Sequence, residues 1–489
     1  MSVGLALLLA LGIPTTGALA IALLHRRPNL REAATLTTGA LLFADVIYLA
    51  RETGGGRSPV DVELLELFPG LPLAFSVEPL GLLFALIASG LWIATSLYSI
   101  GYMRKLDEKS QTRFYVCFAI AIAATMGIAL ARNLLTLFLF YELLTLSTYP
   151  LVTHHRTEQA RRSGRVYLGV LLSTSIGMFL LGLTWTWWRT GTLEFTPGGI
   201  LAGTVEGREL VVLLAVFAFG TGKAALMPFH RWLPAAMVAP TPVSALLHAV
   251  AVVKAGVFTI LKIVVYIFGI DLLADTGASI WLMYVAGFTI VAASVVALSK
   301  DNLKARLAYS TISQLAYIVL GAALATSAGI IGSGMHMLMH ACGKITLFFC
   351  AGAIYVTAHK TEISDMRGLG RSMPVTLFAF LIGSLSIIGL PPFGGSWSKW
   401  YLLLGTAQAD QVILMGVLLV SSLLNVAYLM PVVVRGFFSA PAGDSETATI
   451  KEAPAFCLLP LCFTALACLV LFFFADAIRE LLTPLVGGG

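Results

Sequence analysis

The segment that decides the fold is Phe219-Gly-Thr-Gly-Lys223-Ala-Ala-Leu-Met-Pro228-Phe-His230-Arg231-Trp-Leu-Pro234. An apolar run that begins near Glu209 leads into it, so Lys223 lies at the depth of a membrane helix and at the point where that helix breaks. Charge at membrane depth is costly and usually functional, and the backbone groups that glycine and proline leave free can line a polar cavity. We therefore take proton or ion transport as the first hypothesis.

The composition is that of a protein that crosses a membrane many times. Of 489 residues, 58% are hydrophobic and 11% are charged, whereas soluble domains carry roughly 25% charged residues. The mean hydropathy is +0.90. The net charge of +6 comes from basic residues in short loops, which is not a nucleic-acid signature. The six cysteines lie in predicted helices without metal-ligand spacing, so we expect neither a disulfide framework nor a metal site.

The lengths of the apolar runs predict an all-α polytopic membrane protein. With about 20 residues for each crossing, we count about fourteen transmembrane helices and call them spans 1 to 14. Their approximate centres are Pro14, Leu42, Leu91, Ala123, Leu143, Ser175, Phe217, Lys254, Thr289, Gln314, Ala341, Ser386, Leu423 and Leu466.

Basic residues concentrate in alternate loops, as they do on the cytoplasmic side of membrane proteins. The basic loops follow spans 1, 3, 5, 9 and 11 and contain Arg26, Arg27, Arg31, Arg104, Lys105, Lys109, Arg113, Arg156, Arg161, Arg162, Arg165, Lys300, Lys304, Arg306, Lys360, Arg367 and Arg371. The loops after spans 2, 6, 8 and 12 are acidic or neutral. This alternation predicts a multi-pass protein of the inner (plasma) membrane with both termini on the outer face. His154 and His155 lie in one of the basic loops, where we expect them to be solvated.

Five charged residues cannot be placed in loops. They are Glu142 in span 5, Lys223 in span 7, Lys254 in span 8, Lys344 in span 11 and Lys399 in span 12. A charge at a helix centre costs about 2.5 to 3.5 kcal/mol to insert, so five of them point to function. Burial disfavours the charged form of lysine and a nearby carboxylate favours it. Moving Glu142 relative to Lys223 would therefore load or unload a proton.

Lys262 is close enough to a helix end for its ammonium group to reach the membrane surface. Both a direct role and this structural interpretation stay open.

Span 11 carries a candidate proton relay. His336, His340 and Lys344 are four residues apart, so they share one helix face over about 12 Å. A metal or haem interpretation of the two histidines lacks partner ligands and an attachment motif. Span 10 has polar residues at spacings of three and four, which favour either a face that holds water or hydrogen bonding between helices. They are Ser310, Ser313, Gln314 and Tyr317.

Two spans contain similar breaks. Span 7 has Gly220, Gly222 and Pro228, and span 12 has Gly389 and the run Pro391-Pro-Phe-Gly-Gly. Breaks that recur five spans apart indicate an internal repeat, and the odd offset inverts one copy in the membrane. We expect N-terminal spans 1 to 3 in residues 1–110, a first repeat of spans 4 to 8 in 111–270, and a second repeat of spans 9 to 13 in 271–437. A cytoplasmic loop and span 14 would follow in 438–489.

At these residues the chain resembles the proton-conducting antiporter-like subunits shared by respiratory complex I, membrane-bound hydrogenases and Mrp-type multisubunit cation/proton antiporters. The signatures are Tyr141-Glu142, Gly222-Lys223 with Pro228-Phe-His-Arg-Trp-Leu-Pro234-Ala, Thr241-Pro-Val-Ser-Ala-Leu-Leu-His248 leading to Lys254-Ala-Gly256, the series His336, His340 and Lys344, and Pro391-Pro-Phe-Gly-Gly with Lys399. The resemblance implies a fold of fourteen helices with two inverted five-helix repeats and broken spans 7 and 12. It also implies that Glu142 and Lys223 form an input pair, that Lys254 and the histidines form a central axis, and that Lys399 is an exit gate.

Within this family, Glu142, Lys223 and Lys399 in a compact chain look most like the D-type subunit of an Mrp sodium/proton antiporter. The resemblance implies a transporter subunit, not an enzyme, without a cofactor of its own. Such a protein moves protons in exchange for Na⁺ or another monovalent cation, and its partners are other membrane subunits and the lipid bilayer. Subunits of complex I-type oxidoreductases, membrane-bound hydrogenases and inorganic-carbon transporters share much of the pattern and stay as alternatives.

Two other classes of protein fit the sequence less well. A redox or quinone-binding subunit would need haem ligands, cluster cysteines or a dinucleotide fingerprint, and the sequence has none of these. A structural scaffold of the membrane would not need charges in the interior of its spans.

Overall fold

The computed structural model describes residues 2–53, 61–440 and 449–487, and most of the chain in these ranges is helical. Ten spans contain a single continuous α-helix each. In chain order, spans 1 to 5, 9 to 11, 13 and 14 are Val3–Leu23, Pro28–Thr53, Pro79–Lys105, Gln111–Ala129, Leu134–Val152, Ile280–Ser299, Leu303–Ala323, Ser327–Ala358, Val412–Phe438 and Ala455–Phe473. The predicted loop before span 14 lies partly outside the described residues, at 441–448.

Spans 6 and 8 contain wider π-helical turns, and span 8 also has a bend at Ala251. Span 6 consists of Glu158–Thr174, the π turn Ser175–Phe179 and Leu180–Thr190. Span 8 consists of Thr241–Ala245, the π turn Leu246–Val250, Val252–Ile263 and a second π turn, Val264–Phe268. Such turns are frequent at functional sites, and the first π turn of span 8 contains His248.

Spans 7 and 12 are broken, as the sequence predicts. Span 7 starts as Gly207–Gly220, narrows to the 3₁₀ turn Gly222–Ala224 and continues through Trp232–Ala235 and the 3₁₀ turn Ala236–Val238. Span 12 consists of Pro374–Ile388 and Gly395–Gln408. Gly389 ends the first half of span 12 with a φ of +89°, a conformation that glycine adopts without the steric cost of a side chain.

The prediction of about fourteen spans is confirmed. Eleven helices in the described ranges are long and apolar enough to cross a membrane. The other three spans fail this criterion for a visible reason. Spans 7 and 12 are divided into halves that are each too short, and span 10 is long enough but carries a row of polar side chains.

A small β-hairpin is an addition to the predicted all-α fold. Strands Asp61–Phe68 and Leu71–Ser76 pair antiparallel in the loop between spans 2 and 3, with Gly70 in the turn at a φ of +76°. The remaining elements are short. They are the α-helices Ile270–Thr276, Leu369–Ser372 and Ala475–Leu482 and the 3₁₀ turns Ile363–Asp365 and Thr483–Leu485.

The loops sort onto two faces in the alternation predicted from their charges. Loops after even-numbered spans meet the C-terminal helix around one cavity, lined for example by Arg132, Pro197 and Leu481. Loops after odd-numbered spans surround a second cavity, lined for example by Glu108 and Val238. The start of span 1 packs on the hairpin. Both ends of the described chain therefore lie at the same face.

Span 8 is the centre of the molecule. Every residue of Thr241–Phe268 is buried, and so is most of span 11. Spans 13 and 14 instead expose many large apolar side chains, as expected for helices that face lipid. The predicted divisions after residues 110 and 270 fall just before span 4 and at the short helix Ile270–Thr276. As domain boundaries they stay predictions.

Candidate functional site

The predicted site residues lie in the interior of the protein. Lys223, Lys254 and Lys344 are 0% exposed, and Lys399 is 7% exposed. The three predicted histidines, His248, His336 and His340, are buried as well. Glu142 differs from them, because its residue is only partly buried.

Lys223 lies in the 3₁₀ turn of span 7 and points at span 5. Its Nζ donates to the carbonyl oxygen of Tyr141 over 2.8 Å and to Oγ1 of Thr145 over 2.6 Å. The same ammonium group lies 3.1 Å from the centre of the Tyr141 ring, an arrangement in which the ring face attracts a cation. The backbone N–H of Lys223 donates to the Tyr141 hydroxyl over 3.1 Å. Span 5 therefore holds this lysine by both side chain and backbone.

Two glycines let the neighbouring spans reach this turn. A Cβ atom on Gly222 would lie 2.2 Å from Oγ1 of Thr174 in span 6. A Cβ atom on Gly256 would lie 2.2 Å from the backbone N of Ala224 and 2.3 Å from the carbonyl C of Lys223. Real side chains do not approach this closely, so span 8 packs directly on the backbone that carries Lys223.

Glu142 is next to Tyr141 but does not contact Lys223 directly. Among the residues that the structure describes, no ion pair within 4.0 Å joins Glu142 to Lys223, and neither carboxylate oxygen has a hydrogen-bond partner. The carboxylate belongs to the residue directly after Tyr141, whose carbonyl oxygen and ring contact the ammonium group. Leu139 and Leu143 beside it are exposed. The two predicted input residues are therefore neighbours, with Lys223 hydrogen-bonded to span 5 instead of to Glu142.

The Lys254 side chain connects the two repeats. Its Nζ lies 2.6 Å from Nδ1 of His340 in span 11. A contact at this distance is a hydrogen bond, and either nitrogen can carry the shared proton.

The expected face of span 11 is confirmed. The rings of His336 and His340 are 5.8 Å apart, and Nδ1 of His336 lies 2.9 Å from Oγ of Ser398 in span 12. Lys344 donates through Nζ to Oγ of Ser310 over 2.5 Å. Polar groups on span 11 thus contact spans 8, 10 and 12.

Lys399 lies beyond the break of span 12. Its Nζ donates to the carbonyl oxygen of Ile388 over 3.0 Å and to Oγ of Ser422 over 3.1 Å. The Tyr317 ring lies 5.0 Å from this ammonium group and stacks on His336 at 5.5 Å. Tyr317 therefore bridges the histidines of span 11 and the lysine of span 12.

His248 has a less defined environment. Its ring packs on Phe348 with 4.6 Å between centroids, and within residues 2–53, 61–440 and 449–487 neither ring nitrogen has a hydrogen-bond partner.

The polar row of span 10 makes hydrogen bonds between helices. Ser310 contacts the Tyr428 hydroxyl at 2.8 Å, Ser313 contacts Ser294 at 2.9 Å, and Tyr317 donates to the carbonyl oxygen of Leu418 over 3.3 Å. The interpretation as helix-helix bonding is confirmed for these three residues.

Sequence reasoning missed several residues. Thr145, the hydrogen-bond partner of Lys223, is four residues after Tyr141 and was detectable from helical spacing. Asp45 is a buried carboxylate in the middle of span 2, so Glu142 is not the sole acid at membrane depth. Lys304 was predicted to lie in a loop, but it is the second residue of the helix of span 10. Its Nζ donates to the carbonyl oxygen of Ala239 over 2.6 Å. The expectation of a solvated His154 is wrong, because that residue is 5% exposed.

The part of the chain that the structure describes has no group of three or more His, Cys, Asp or Glu side chains placed to hold a metal ion. What the arrangement offers chemically is a series of buried groups that can each bind and release a proton.

Comparison with known proteins identifies relatives over the whole site. The profile of the family described as "NADH:quinone oxidoreductase/Mrp antiporter, TM" matches residues 131–425, which include all eight predicted site residues. Chain 5 of the NAD(P)H-quinone oxidoreductase of Synechocystis sp. is 32% identical over 362 residues, which are 70% of this chain and 51% of the relative. The match thus spans about half the length of that protein. Subunit N of the NADH-quinone oxidoreductase of Desulforudis audaxviator is 29% identical over 465 residues, 91% of this chain and 89% of the relative.

Two solved structures share the fold. A chain in the Mrp complex from Dietzia sp. has a TM-score of 0.88 at 21% identity and covers 99% of this chain and 97% of its own length. A chain in the membrane-bound sulfane sulfur reductase, an archaeal respiratory membrane complex, also has a TM-score of 0.88, at 23% identity, and covers 99% of this chain and 98% of its own.

Proposed function

Because the chain belongs to the NADH:quinone oxidoreductase/Mrp antiporter transmembrane family, we propose that it is a proton-translocating membrane subunit of a larger complex. Protons would pass through the buried lysines and histidines of spans 7, 8, 11 and 12. The energy or the counter-ion for this movement would come through other membrane subunits.

One observation carries the proposal: buried groups that can bind a proton follow one another across both repeats. Lys254 contacts His340, His340 packs near His336, and Tyr317 lies between His336 and Lys399. Lys223 joins this series through the direct packing of its turn on Gly256. A scaffold would not keep four lysines away from water at such a cost.

In this proposal Lys223 acts as a two-position switch. In the structure its ammonium group is bound by uncharged oxygens, while the Glu142 carboxylate is near but not bonded. Moving the ammonium group to Glu142 would favour its charged form, and moving it back would favour release of the proton. A charge that crosses the membrane exchanges about 2.3 kcal/mol per 100 mV, and an ion pair in a low dielectric can match this energy.

The positive-inside rule orients the protein. The basic loops would face the cytoplasm of a cell with this protein in its plasma membrane, and both ends of the chain would face outward. Glu142 lies beside exposed leucines in span 5, so a neighbouring membrane subunit that packs there would act directly on the switch.

For the type of complex, we propose an Mrp-type cation/proton antiporter and a role like that of its D-type subunit. The residues that favour this choice are Glu142, Lys223 and Lys399. The cation exchanged would be Na⁺ or another monovalent cation. The alternative is a proton-pumping subunit of a complex I-type oxidoreductase. The similarity to the relatives in Synechocystis and Desulforudis favours this alternative. In neither case would this chain be the redox enzyme itself.

The test is cation-dependent proton transport in membrane vesicles that contain the whole complex. We expect Glu142→Ala and Lys223→Ala each to abolish proton-coupled cation exchange while the complex still assembles. Lys109→Ala, which removes a lysine from an exposed loop, is the matched control and should retain full exchange. Full exchange in either the Glu142 or the Lys223 variant would refute the proposed function.

A further inference from the structure

A large cavity opens at the face where the ends of the described chain lie. It has a volume of about 920 Å³ and is formed by the loops after the even-numbered spans together with the C-terminal helix. Its lining carries more acidic than basic side chains. The charged residues are Asp61, Glu78, Arg132, Glu194, Lys262, Asp271 and Glu480. Clefts lined by one sign of charge concentrate ions of the opposite sign, so this cavity attracts cations, including protons.

Two of these residues form an ion pair where the cavity meets the helices. Nζ of Lys262, near the end of span 8, lies 2.7 Å from Oε1 of Glu78, which immediately precedes span 3. The Lys262 side chain is 0% exposed and that of Glu78 is 16% exposed. The ammonium group also donates to the carbonyl oxygen of Ala131 over 2.6 Å. The Lys262 ammonium group is therefore enclosed by protein and bound to Glu78 and to the backbone of Ala131.

The lysine is enclosed on its remaining sides by aromatic rings. Its Nζ lies 4.3 Å from the centre of the Phe195 ring and 5.5 Å from that of Phe258. Such an environment is an unusual place for a lysine whose task is to keep a helix end soluble. Within this enclosure, Glu78 is the acidic group that the lysine contacts.

Lys262 is on the same helix as Lys254, which belongs to the series of protonatable groups. Eight residues separate them, or about 12 Å along the helix. Thr259 lies between the two lysines, one turn before Lys262, and is 0% exposed. Within the described residues its hydroxyl has no hydrogen-bond partner, although a helical threonine commonly bonds the carbonyl four residues earlier. The hydroxyl is therefore available for a further hydrogen bond in the buried interior of span 8.

We propose that the pair of Lys262 and Glu78 is a protonation station that exchanges protons between the outer cavity and Lys254. This inference rests on the proposed function and adds to it an opening at the outer end of the first repeat. For a proton that moves outward, the Lys262 ammonium group gives a proton to the Glu78 carboxylate, which leaves a neutral amine and a neutral acid. Glu78 then releases the proton to the cavity, and Lys262 takes up another from Lys254 by way of Thr259.

Other titratable groups close to the pair set its surroundings. Tyr266 of span 8 lines the same cavity as Glu78. Arg132 lies in the same cavity but is already paired with Glu194 at 3.0 Å and with Glu63 at 2.8 Å. Asp271 lies beyond the end of span 8. Arg132 is thus held by acids of its own, which leaves Glu78 to Lys262.

Transport by conservative variants separates a protonation role from a structural one. Lys262→Arg retains the positive charge and the ion pair, but an arginine does not release its proton. We expect Lys262→Arg and Lys262→Met both to lower cation-dependent proton exchange by at least tenfold in assembled complexes. Thr259→Val, which keeps the shape and removes the hydroxyl, should lower it a few-fold. Full exchange with Lys262→Arg would overturn the proposal, because the pair would then act only through its charge.

Chemical access is an independent readout. In right-side-out vesicles, a membrane-impermeant cationic methanethiosulfonate should modify the variant Lys262→Cys from outside at least tenfold faster than the variant Lys254→Cys. The number of added groups is read from the intact mass of each variant, after subtraction of the number that the wild-type chain takes up. Equal rates, or modification of Lys262→Cys only from the cytoplasmic side, would overturn the outer opening.

Failure of the broader function has a different signature. If Lys223→Ala is active, the proposed function fails. If Lys223→Ala is inactive and Lys262→Arg is active, only the present inference fails.

Discussion

The side chains of Lys254 and His340 share a hydrogen bond of 2.6 Å between Nζ and Nδ1, and this bond joins span 8 of the first repeat to span 11 of the second. Each of these nitrogens can lose or gain a proton. A proton that leaves the first repeat therefore has an acceptor in the second without any rearrangement of the backbone.

This contact makes His340→Gln an informative change. Glutamine can still accept a hydrogen bond from Lys254 but does not titrate, so we expect assembly to persist and cation-dependent proton exchange to fall at least tenfold. The measurement is the dissipation of a pH gradient in vesicles, followed with a pH-sensitive fluorescent dye. His359→Asn, at an exposed histidine, is the control. Wild-type exchange in His340→Gln would mean that the ring serves only as a hydrogen-bond acceptor.

Thr145 is predicted to tune the switch at Lys223. Thr145→Val removes the hydroxyl that accepts from the ammonium group over 2.6 Å and leaves the shape of the side chain almost unchanged. The ammonium group should then favour Glu142, so we expect exchange to fall about tenfold. Tyr141→Phe removes only the hydroxyl that bonds the Lys223 backbone and should cost less than threefold. An equal effect of both variants would contradict the special role of Thr145.

Gly256→Ala should damage the protein at a place where no charge is altered. The new methyl group would lie 2.2 Å from the backbone N of Ala224, so the turn of Lys223 must move. Overpacking of this kind costs about 1 to 3 kcal/mol, and we expect a lower melting temperature of the purified complex together with reduced exchange. Gly416→Ala has nothing within 4 Å of its added Cβ and should behave as wild type. A normal melting temperature in Gly256→Ala would show that the two spans are not in close contact.

His154 is predicted to contribute to acid sensitivity on the face of the basic loops. Burial, followed by the nearby charge of Arg113, lowers the pKa of His154 from 6.5 to about 4. His154 takes up a proton near pH 6.5 in the unfolded chain and only near pH 4 in the folded chain. Its contribution to stability is therefore fully present above pH 6.5 and is lost as the pH falls toward 4. His154→Asn should therefore lose less melting temperature than wild type between pH 7.5 and 5.5.

The melting temperature of His154→Asn must be compared with that of wild type at the same pH, because burial also raises the pKa of the neighbouring Glu108. That shift changes stability with pH in the opposite direction. His155→Asn, at a more exposed ring, is the control and should match wild type. If His154→Asn loses as much melting temperature as wild type, the burial of this ring does not cause the acid sensitivity.

Most of the architecture could be predicted from the sequence, because a bilayer imposes a fixed helix length and penalises charge. The breaks in spans 7 and 12 were predicted from Gly222, Pro228 and the Pro391 segment, because glycine and proline restrict or free the backbone locally. The shared face of His336, His340 and Lys344 follows from helical period alone. In each of these cases the cause and its effect lie within a few residues of one another.

Contacts between distant parts of the chain could not be predicted in the same way. Lys223 bonds Thr145 instead of Glu142 because the ammonium group reaches whatever oxygen the packing of span 5 presents. The pairing of Lys262 with Glu78 needs the ends of spans 8 and 3 to meet. The hairpin was missed because its first strand is mostly exposed and its pairing is interrupted twice, which removes a clear alternation.

The packing of Gly256 on the turn of span 7 has a mechanical consequence. Main chain meets main chain there, so there is no flexible side chain between the two segments to absorb a displacement. Spans 7 and 8 must therefore shift together at this level, and Lys223 and Lys254 would travel as one rigid unit. A pull by a neighbouring protein on span 7 would change the distance from Lys254 to His340 at the same moment as the distance from Lys223 to Glu142.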